Sequence, residues 1–281
     1  MSKRKVLITG ASGVIATKII PDLRELYDLQ MTDIKKKNVE GRQIDAIVTA
    51  DLLNGNRDNY RHLFRGMDTV IHSGFIKARD GEDPFFAELD NVKMAYNVYQ
   101  TCLEENVRRV IMISSNHAGD YYENLIHQGL MLSVTPDMAP YSDNYYGWAK
   151  ISYEALGFVF ATGKMNGQKK LENVQIRIGA PREDDIKSCE IGDLVKMHRD
   201  LGAYLSLRDE IQLIAKSIET PSIDDENGVP FQIFYGVSNN THNFWDIGNA
   251  RRVIGYDPQD NSSERFADDV ARISQAASAA K

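Results

Sequence analysis

The 281-residue sequence holds only two cysteines, Cys102 and Cys189, and neither has a second Cys or a His at ligand spacing. A disulfide framework and a zinc site are therefore both excluded as organising features, and no metal is expected. No apolar stretch approaches the roughly 18 residues a membrane helix needs. The basic start Met1-Ser2-Lys3-Arg4-Lys5 leads only into Val6-Leu7-Ile8 before Thr9-Gly10. That is a first strand rather than the apolar core of a secretory signal, so the expected location is cytoplasmic. Positive charge is in deficit: the formal net charge is -7, with acids and bases interspersed. Neither a nucleic-acid footprint nor a polybasic membrane patch is present, so no partner of either kind is expected. Internal repeats and low-complexity linkers are also missing.

What remains is a chain long enough to bury a full hydrophobic core. Strand-like apolar runs alternate with longer helical patterns: Lys5 to Ile8, Leu29 to Asp33, Ile44 to Val48, Thr69 to His72, Arg109 to Ser114, and Val174 to Ile178. Such alternation predicts an α/β fold, a doubly wound parallel sheet of the Rossmann type with helices on both faces. Continuous apolar strands such as Val110-Ile111-Met112-Ile113 suit a strand buried on both faces. Asp83 caps a helix that begins at Pro84 and runs to Glu105. Pro21 should kink or end a turn of the first helix. Residues 1–281 read as one domain, with a nucleotide-binding core to 178 and a small substrate-covering lobe from 179. A late strand falls near Phe231 to Tyr235, and an Ala-rich surface helix over Ser262 to Lys281.

The run Thr9-Gly10-Ala11-Ser12-Gly13-Val14-Ile15-Ala16 follows a strand and opens a helix. In that context Gly10 turns the chain, Gly13 lets the backbone approach a pyrophosphate, and Ala16 lets the helix pack close to the strand. The helix N-terminal N–H groups then face the phosphates. A strand-to-helix turn without a ligand is the alternative. Asp33, at the end of the second strand, can accept from both ribose hydroxyls of NAD and would repel the extra phosphate of NADP. Lys35, Lys36 and Lys37 either compensate such a phosphate or are simply solvated; NAD is the expected cofactor. Asp51-Leu52 either flanks the adenine or caps a turn.

Tyr146 and Lys150 stand four apart, as two residues on one helix face do, thirty-one residues after Ser114-Ser115-Asn116-His117. A nearby cation favours the phenolate, which makes Tyr146 a candidate general base for an alcohol. Alone, such a pair is an ordinary helix surface. With the glycine loop ahead of it, the set resembles the extended short-chain dehydrogenase/reductase superfamily, the NAD-dependent epimerase/dehydratase family, over essentially the whole chain. The resemblance implies that Ser115, Tyr146 and Lys150 carry catalysis, and that Asn91 is a structural helix asparagine.

Within that superfamily the order of motifs is similar to that of uronate dehydrogenases. Those motifs are Ser114-Ser115-Asn116-His117, Tyr146-Gly147-x-x-Lys150, Arg177-Ile178-Gly179, His198-Arg199 ahead of Tyr204-Leu205-Ser206, and Asn243-Phe244-Trp245-Asp246. Such enzymes oxidise the anomeric carbon of a hexuronic acid to a lactone. The likeness implies that Ser115, Asn116 and His117 contact sugar hydroxyls and that Arg199 grips the acid group, as a guanidinium fork can. From local sequence, Arg199 equally reads as a surface ion pair with Asp200 or Glu190, and His117 as a satisfied structural residue. Two departures bear on the sugar: Lys77 and Ala180 stand where hydroxyl residues are expected. A Lys77 turned inward would suit a hexose 6-phosphate or a sulfonated hexose; turned outward, it is solvated beside Arg79 and Asp80.

The same residues also serve nucleotide-sugar epimerases and dehydratases, and a binding regulator could use the fold without turnover. Family habit implies a homodimer through two long helices per subunit, here Pro84 to Glu105 and the helix bearing Tyr146 to Phe160. Tyr96, Tyr99 and Phe158 are candidate interface or core residues.

Overall fold

The structure, a computed structural model, describes residues 3–275. The chain runs β1 (Lys5–Thr9), α1 (Val14–Leu26), β2 (Asp28–Asp33), β3 (Val48–Thr49), β4 (Thr69–His72), α2 (Pro84–Glu104) and β5 (Arg109–Ser115). It continues through α3 (Asp120–His127), α4 (Tyr145–Thr162), β6 (Glu172–Ile178), α5 (Leu194–Ala203), α6 (Leu207–Glu219) and β7 (Phe231–Gly236). Three short helices follow, α7 (Gly248–Ile254), α8 (Ser262–Arg265) and α9 (Ala267–Ser274).

All seven strands pair in parallel, in the order β3-β2-β1-β4-β5-β6-β7. The strand order reverses between β1 and β4, and in such sheets the crevice beyond the strand C-termini at that point holds the ligand. The expected Rossmann-type α/β fold is present. Side chains alternate across the sheet as the strand period requires. Val6, Ile8, Ile111, Ile113, Val174 and Ile176 pack with α1, α6 and α7 on one face. Leu7, Val70, Val110 and Met112 pack with α2 and α4 on the other. Both faces are covered, which is why these strands are apolar throughout.

Several sequence expectations shift. The run 44–48 is a turn rather than a strand: Ile47 N–H donates to the Ile44 carbonyl, and only Val48 and Thr49 pair with β2. Its apolar residues were too few to bury both faces, and the strand lies at the sheet edge. Helix α1 passes straight through Pro21. Pro21 lies on the exposed side, while Ala16, Ile19, Ile20 and Leu23 hold the helix to the sheet; that burial outweighs one lost backbone bond. β7 pairs with β6, so the stretch after residue 178 supplies the seventh strand of the core sheet. The same stretch also builds a small satellite core, with Ile186, Cys189, Leu201, Tyr204, Phe266 and Ile273 clustered around α5, α8 and α9. The C-terminal helix is two short helices, with Ser262 and Ile273 buried; residues 276–281 lie outside the described residues. Asp83 caps α2 as expected, its carboxylate accepting from Phe85 N–H.

Candidate active site

A cavity of about 1100 Å³ runs along the switch point, lined by the loop after β1, the ends of β2 and β4, and Tyr146 and Lys150 of α4. At its start Gly10 takes φ +71°, and a Cβ there would lie 2.4 Å from the Gly74 backbone nitrogen. Only glycine fits this crossing of two loops. Gly13 precedes α1 with no side-chain cap, and no acid stands in the first turn. The N–H groups of Val14, Ile15 and Ala16 therefore keep their donors for an anion, at the positive end of the helix dipole.

Asp33 is held in place by Ser12. Its Oδ2 accepts from the Ser12 amide at 2.9 Å and the Ser12 hydroxyl at 2.8 Å. Its Oδ1 has only a long contact, 3.4 Å, from Lys35 N–H. One carboxylate oxygen thus anchors the loop and the other is left for a ligand hydroxyl. Asp51 caps a turn, accepting from Leu53 N–H at 2.9 Å, and it lines the cavity together with Leu52. The turn cap is therefore present, on a residue that faces the cavity. Lys35 lines the cavity, as does Lys77 beyond β4.

Helix α4 places Tyr146 and Lys150 on one face. Gly147 between them is required, because a Cβ there would meet the His117 carbonyl oxygen at 2.2 Å. This close approach brings the first turn of α4 against the segment that carries Ser115, Asn116 and His117. The Tyr146 ring packs edge-on against His117 and against Phe75, each with centroids 5.4 Å apart. Asn91 secures the segment bearing Phe75: its side chain accepts from Ile76 N–H and donates to the Ile76 carbonyl. That is the structural role the resemblance implied.

Lys150 is buried, with Nζ donating to the Ile113 carbonyl at 3.1 Å and lying 4.7 Å from the Tyr153 ring centroid. Burial lowers its pKa to about 8, against the pull of Glu88 and Glu154. Burial likewise raises the Tyr146 phenol, and the Ser115 hydroxyl acts in the opposite direction. The expectation of a lowered phenol is corrected in net direction: desolvation outweighs the Ser115 hydrogen bond, and Lys150 Nζ, 5.3 Å from the ring centroid, donates to the Ile113 carbonyl.

The lowered Lys150 pKa has a stability consequence. Between about pH 8 and the ordinary lysine range the unfolded chain binds a proton that the folded chain has released, so stability rises with pH in that window. Below pH 8 both states are protonated and the full burial cost remains. Lys150→Met is therefore expected to be more stable than the parent at pH 7, by on the order of 3 kcal/mol, with the gap closing toward pH 10. Urea unfolding of both proteins at pH 7 and pH 10 checks this; a gap independent of pH rejects it.

Of the segment at the end of β5, Ser114 lines the cavity, whereas Ser115, Asn116 and His117 are not among its lining residues. Ser115 Oγ accepts from His117 N–H at 3.2 Å, and Asn116 is buried with its Nδ2 unpartnered. His117 Nδ1 meets Asp120 Oδ2 at 2.5 Å, and Asn144 Nδ2 donates to the same oxygen at 2.8 Å. His117 is thus tethered and at the same time packed on Tyr146. Arg199 does not line the cavity with Tyr146. It faces Glu123 at 3.6 Å and Asp200 at 3.8 Å, so the expected ion pair with Asp200 is present and is joined by Glu123. Ala180 is buried in backbone pairing with Ala203 and Leu205, away from the cavity lining.

The sequence reading missed Phe75, Asp120, Glu123 and the pair Glu154–Arg177. Only Asp120 had a local signal, three residues after His117 at the start of a helix. No group of three or more metal-ligating side chains occurs among the described residues, and no described helix is long and apolar enough to cross a membrane.

Residues 6–163 match the sequence model of the NAD dependent epimerase/dehydratase family. The chain is 28% identical over 265 residues to a uronate dehydrogenase of Pseudomonas putida, covering 93% of this chain and 86% of the relative. It is 27% identical over 279 residues to an NAD-dependent glucose-6-phosphate dehydrogenase of Haloferax volcanii, covering 92% and 94%. Among solved structures, a uronate dehydrogenase from Agrobacterium tumefaciens superposes with a TM-score of 0.73 at 25% identity, over 96% of this chain and 90% of that one.

Proposed function

The chain belongs to the NAD dependent epimerase/dehydratase family, and on that premise we propose that it oxidises the anomeric carbon of a free acidic hexose to the lactone. It is an NAD-dependent oxidoreductase. The observation that carries the reading is a single cavity with Gly10 and Asp33 at one end and Tyr146 and Lys150 at the other. Relatives named for a uronate and for glucose 6-phosphate support an acidic sugar.

NAD fits the residues present. Gly10, Ser12, Gly13, Val14 and Ile15 would hold its pyrophosphate, Asp33 a ribose, and Asp51 and Leu52 the adenine side; Tyr146 and Lys150 would meet the far ribose. When bound, it supplies the hydride acceptor. The chain does the rest. Ser115 donates to the anomeric hydroxyl oxygen, and Tyr146 takes its proton as the carbon–hydrogen bond gives up hydride. Lys150 places a positive charge 5.3 Å from the Tyr146 ring centroid, where it favours the phenolate that accepts the proton. Asn116 and His117 meet ring hydroxyls, and Arg199 takes the acid group, with Lys77 a second cation at the cavity wall. Residues after 178 cover the sugar.

We read α2 and α4 as the homodimer face. Tyr96 and Phe158 are 42% and 46% exposed there, whereas Tyr99 belongs to the core.

The test is NADH formation with galacturonate, glucuronate, glucose 6-phosphate, 6-sulfonated glucose and neutral hexoses. Stoichiometric NADH release with an acidic hexose is expected. Confirmed NAD binding with no release on any sugar would move the protein to the epimerases or to a binding role.

A further inference from the structure

The corner formed by α3 and α5 sets Arg199 opposite an acid, Glu123, that the proposed reaction does not use. Arg199 on α5 donates no hydrogen bond to any described residue, although its side chain is only 21% exposed. The carboxylate facing it, Glu123 on α3, lies 3.6 Å away, beyond a normal hydrogen bond. Its second oxygen, Oε1, is buried with no partner. The other nearby acid, Asp200, is already committed. It accepts from Lys196 Nζ at 2.5 Å and from Cys189 at 3.4 Å, and Arg199 reaches it only at 3.8 Å. The guanidinium therefore keeps its forked donors, and Glu123 is the one acid near it that no other cation claims among the described residues.

We propose that Glu123 is a specificity-determining residue: it competes with the acidic group of the sugar for Arg199, and so sets how strongly the enzyme prefers acidic over neutral sugars. This rests on the reading of Arg199 as the acid-group site.

The physical reason is charge balance. With Glu123 ionised, the Arg199 corner is close to neutral, and an incoming carboxylate or phosphate meets repulsion from Glu123 as well as attraction from Arg199. Neutral sugars are indifferent to that exchange. Burial raises the Glu123 pKa, opposed by Arg199 and reinforced by Asp120, so acidification empties the competing charge sooner than for an ordinary glutamate. The charged and titratable groups around it are Arg199 and Asp200 from α5, Asp120 and His127 from its own helix, and His117 from the preceding turn.

Glu123→Gln keeps the shape and removes the charge. The expected result is a KM for the acidic sugar lower by roughly tenfold, with its kcat and the KM for the matching neutral hexose nearly unchanged. KM for the acidic sugar should rise with pH in the parent and be flatter in Glu123→Gln. Binding of the same acid to the NADH complex, followed by calorimetry, should tighten in parallel. An unchanged ratio of acidic to neutral sugar in an enzyme that oxidises both overturns the role of Glu123 alone. A parent enzyme whose acid affinity is unaffected by Arg199→Ala removes the acid-group site, and with it both readings. Equal loss on acidic and neutral sugars would mark Glu123 as merely structural and also reject the proposal.

Discussion

Replacing Tyr146 by phenylalanine is expected to lower kcat for sugar oxidation by roughly 10²–10⁴-fold and to change NADH affinity far less. The phenol ring lines the cavity and packs directly against both His117 and Phe75. The ring itself supports that packing, so phenylalanine preserves the shape of the site and removes only the hydroxyl, the proposed proton acceptor. A smaller aliphatic substitution would confound chemistry with collapse of the Phe75 and His117 contacts. Stopped-flow measurement of NADH formation, with NADH affinity measured by fluorescence on the same variant, separates the two. A variant that keeps a tenth or more of the parent kcat would show that another group takes the proton.

The second large effect concerns stability. Arg177 on β6 forms a bidentate pair with Glu154 on α4, with Nε to Oε1 at 2.9 Å and Nη2 to Oε2 at 2.8 Å. Both side chains are almost fully buried, at 2% and 4% exposure. Ser114 Oγ donates to Glu154 Oε1, and Arg177 Nη1 reaches the Tyr235 hydroxyl. The network therefore joins β5, α4, β6 and β7. Burial works against the guanidinium's charge, but the hydrogen bonds and attraction of Glu154 outweigh it and hold Arg177 charged.

Arg177→Met strands the Glu154 carboxylate in the core, and about 3–5 kcal/mol of stability should be lost. The double variant Arg177→Met with Glu154→Leu should recover most of that loss, because no unpaired charge remains. Urea unfolding of the single and double variants decides the matter. A single variant within 1 kcal/mol of the parent would show that the pair contributes little beyond what methionine packing replaces. Glu154 lies one turn beyond Lys150 on α4, so a shift of the helix in the single variant should also show as lost activity.

The features legible in the sequence were those set by neighbours along the chain. Strand and helix periods, Asp83 with Pro84 at the start of α2, the glycine loop after β1 and the four-residue step from Tyr146 to Lys150 all follow from local geometry. Each reappears where the spacing placed it. The parallel sheet was legible for the same reason, because strands such as Val110 to Ile113 carry apolar side chains on both faces. The misreadings arose where tertiary burial overrode a local rule. Pro21 sits inside a helix that packing holds, and the 44–48 run lacks a second buried face.

Beyond that, the sequence alone determined the family, the order of its motifs, and the positions of the glycine loop and of the Tyr146–Lys150 pair. Only the tertiary structure decided which charges face one another and which are stripped of water. Glu123 and Arg199, or Glu154 and Arg177, are distant in sequence and meet because α3 adjoins α5 and α4 covers β6. The Tyr146 phenol is shifted upward rather than downward because burial, which no spacing reveals, outweighs the hydrogen bond from Ser115.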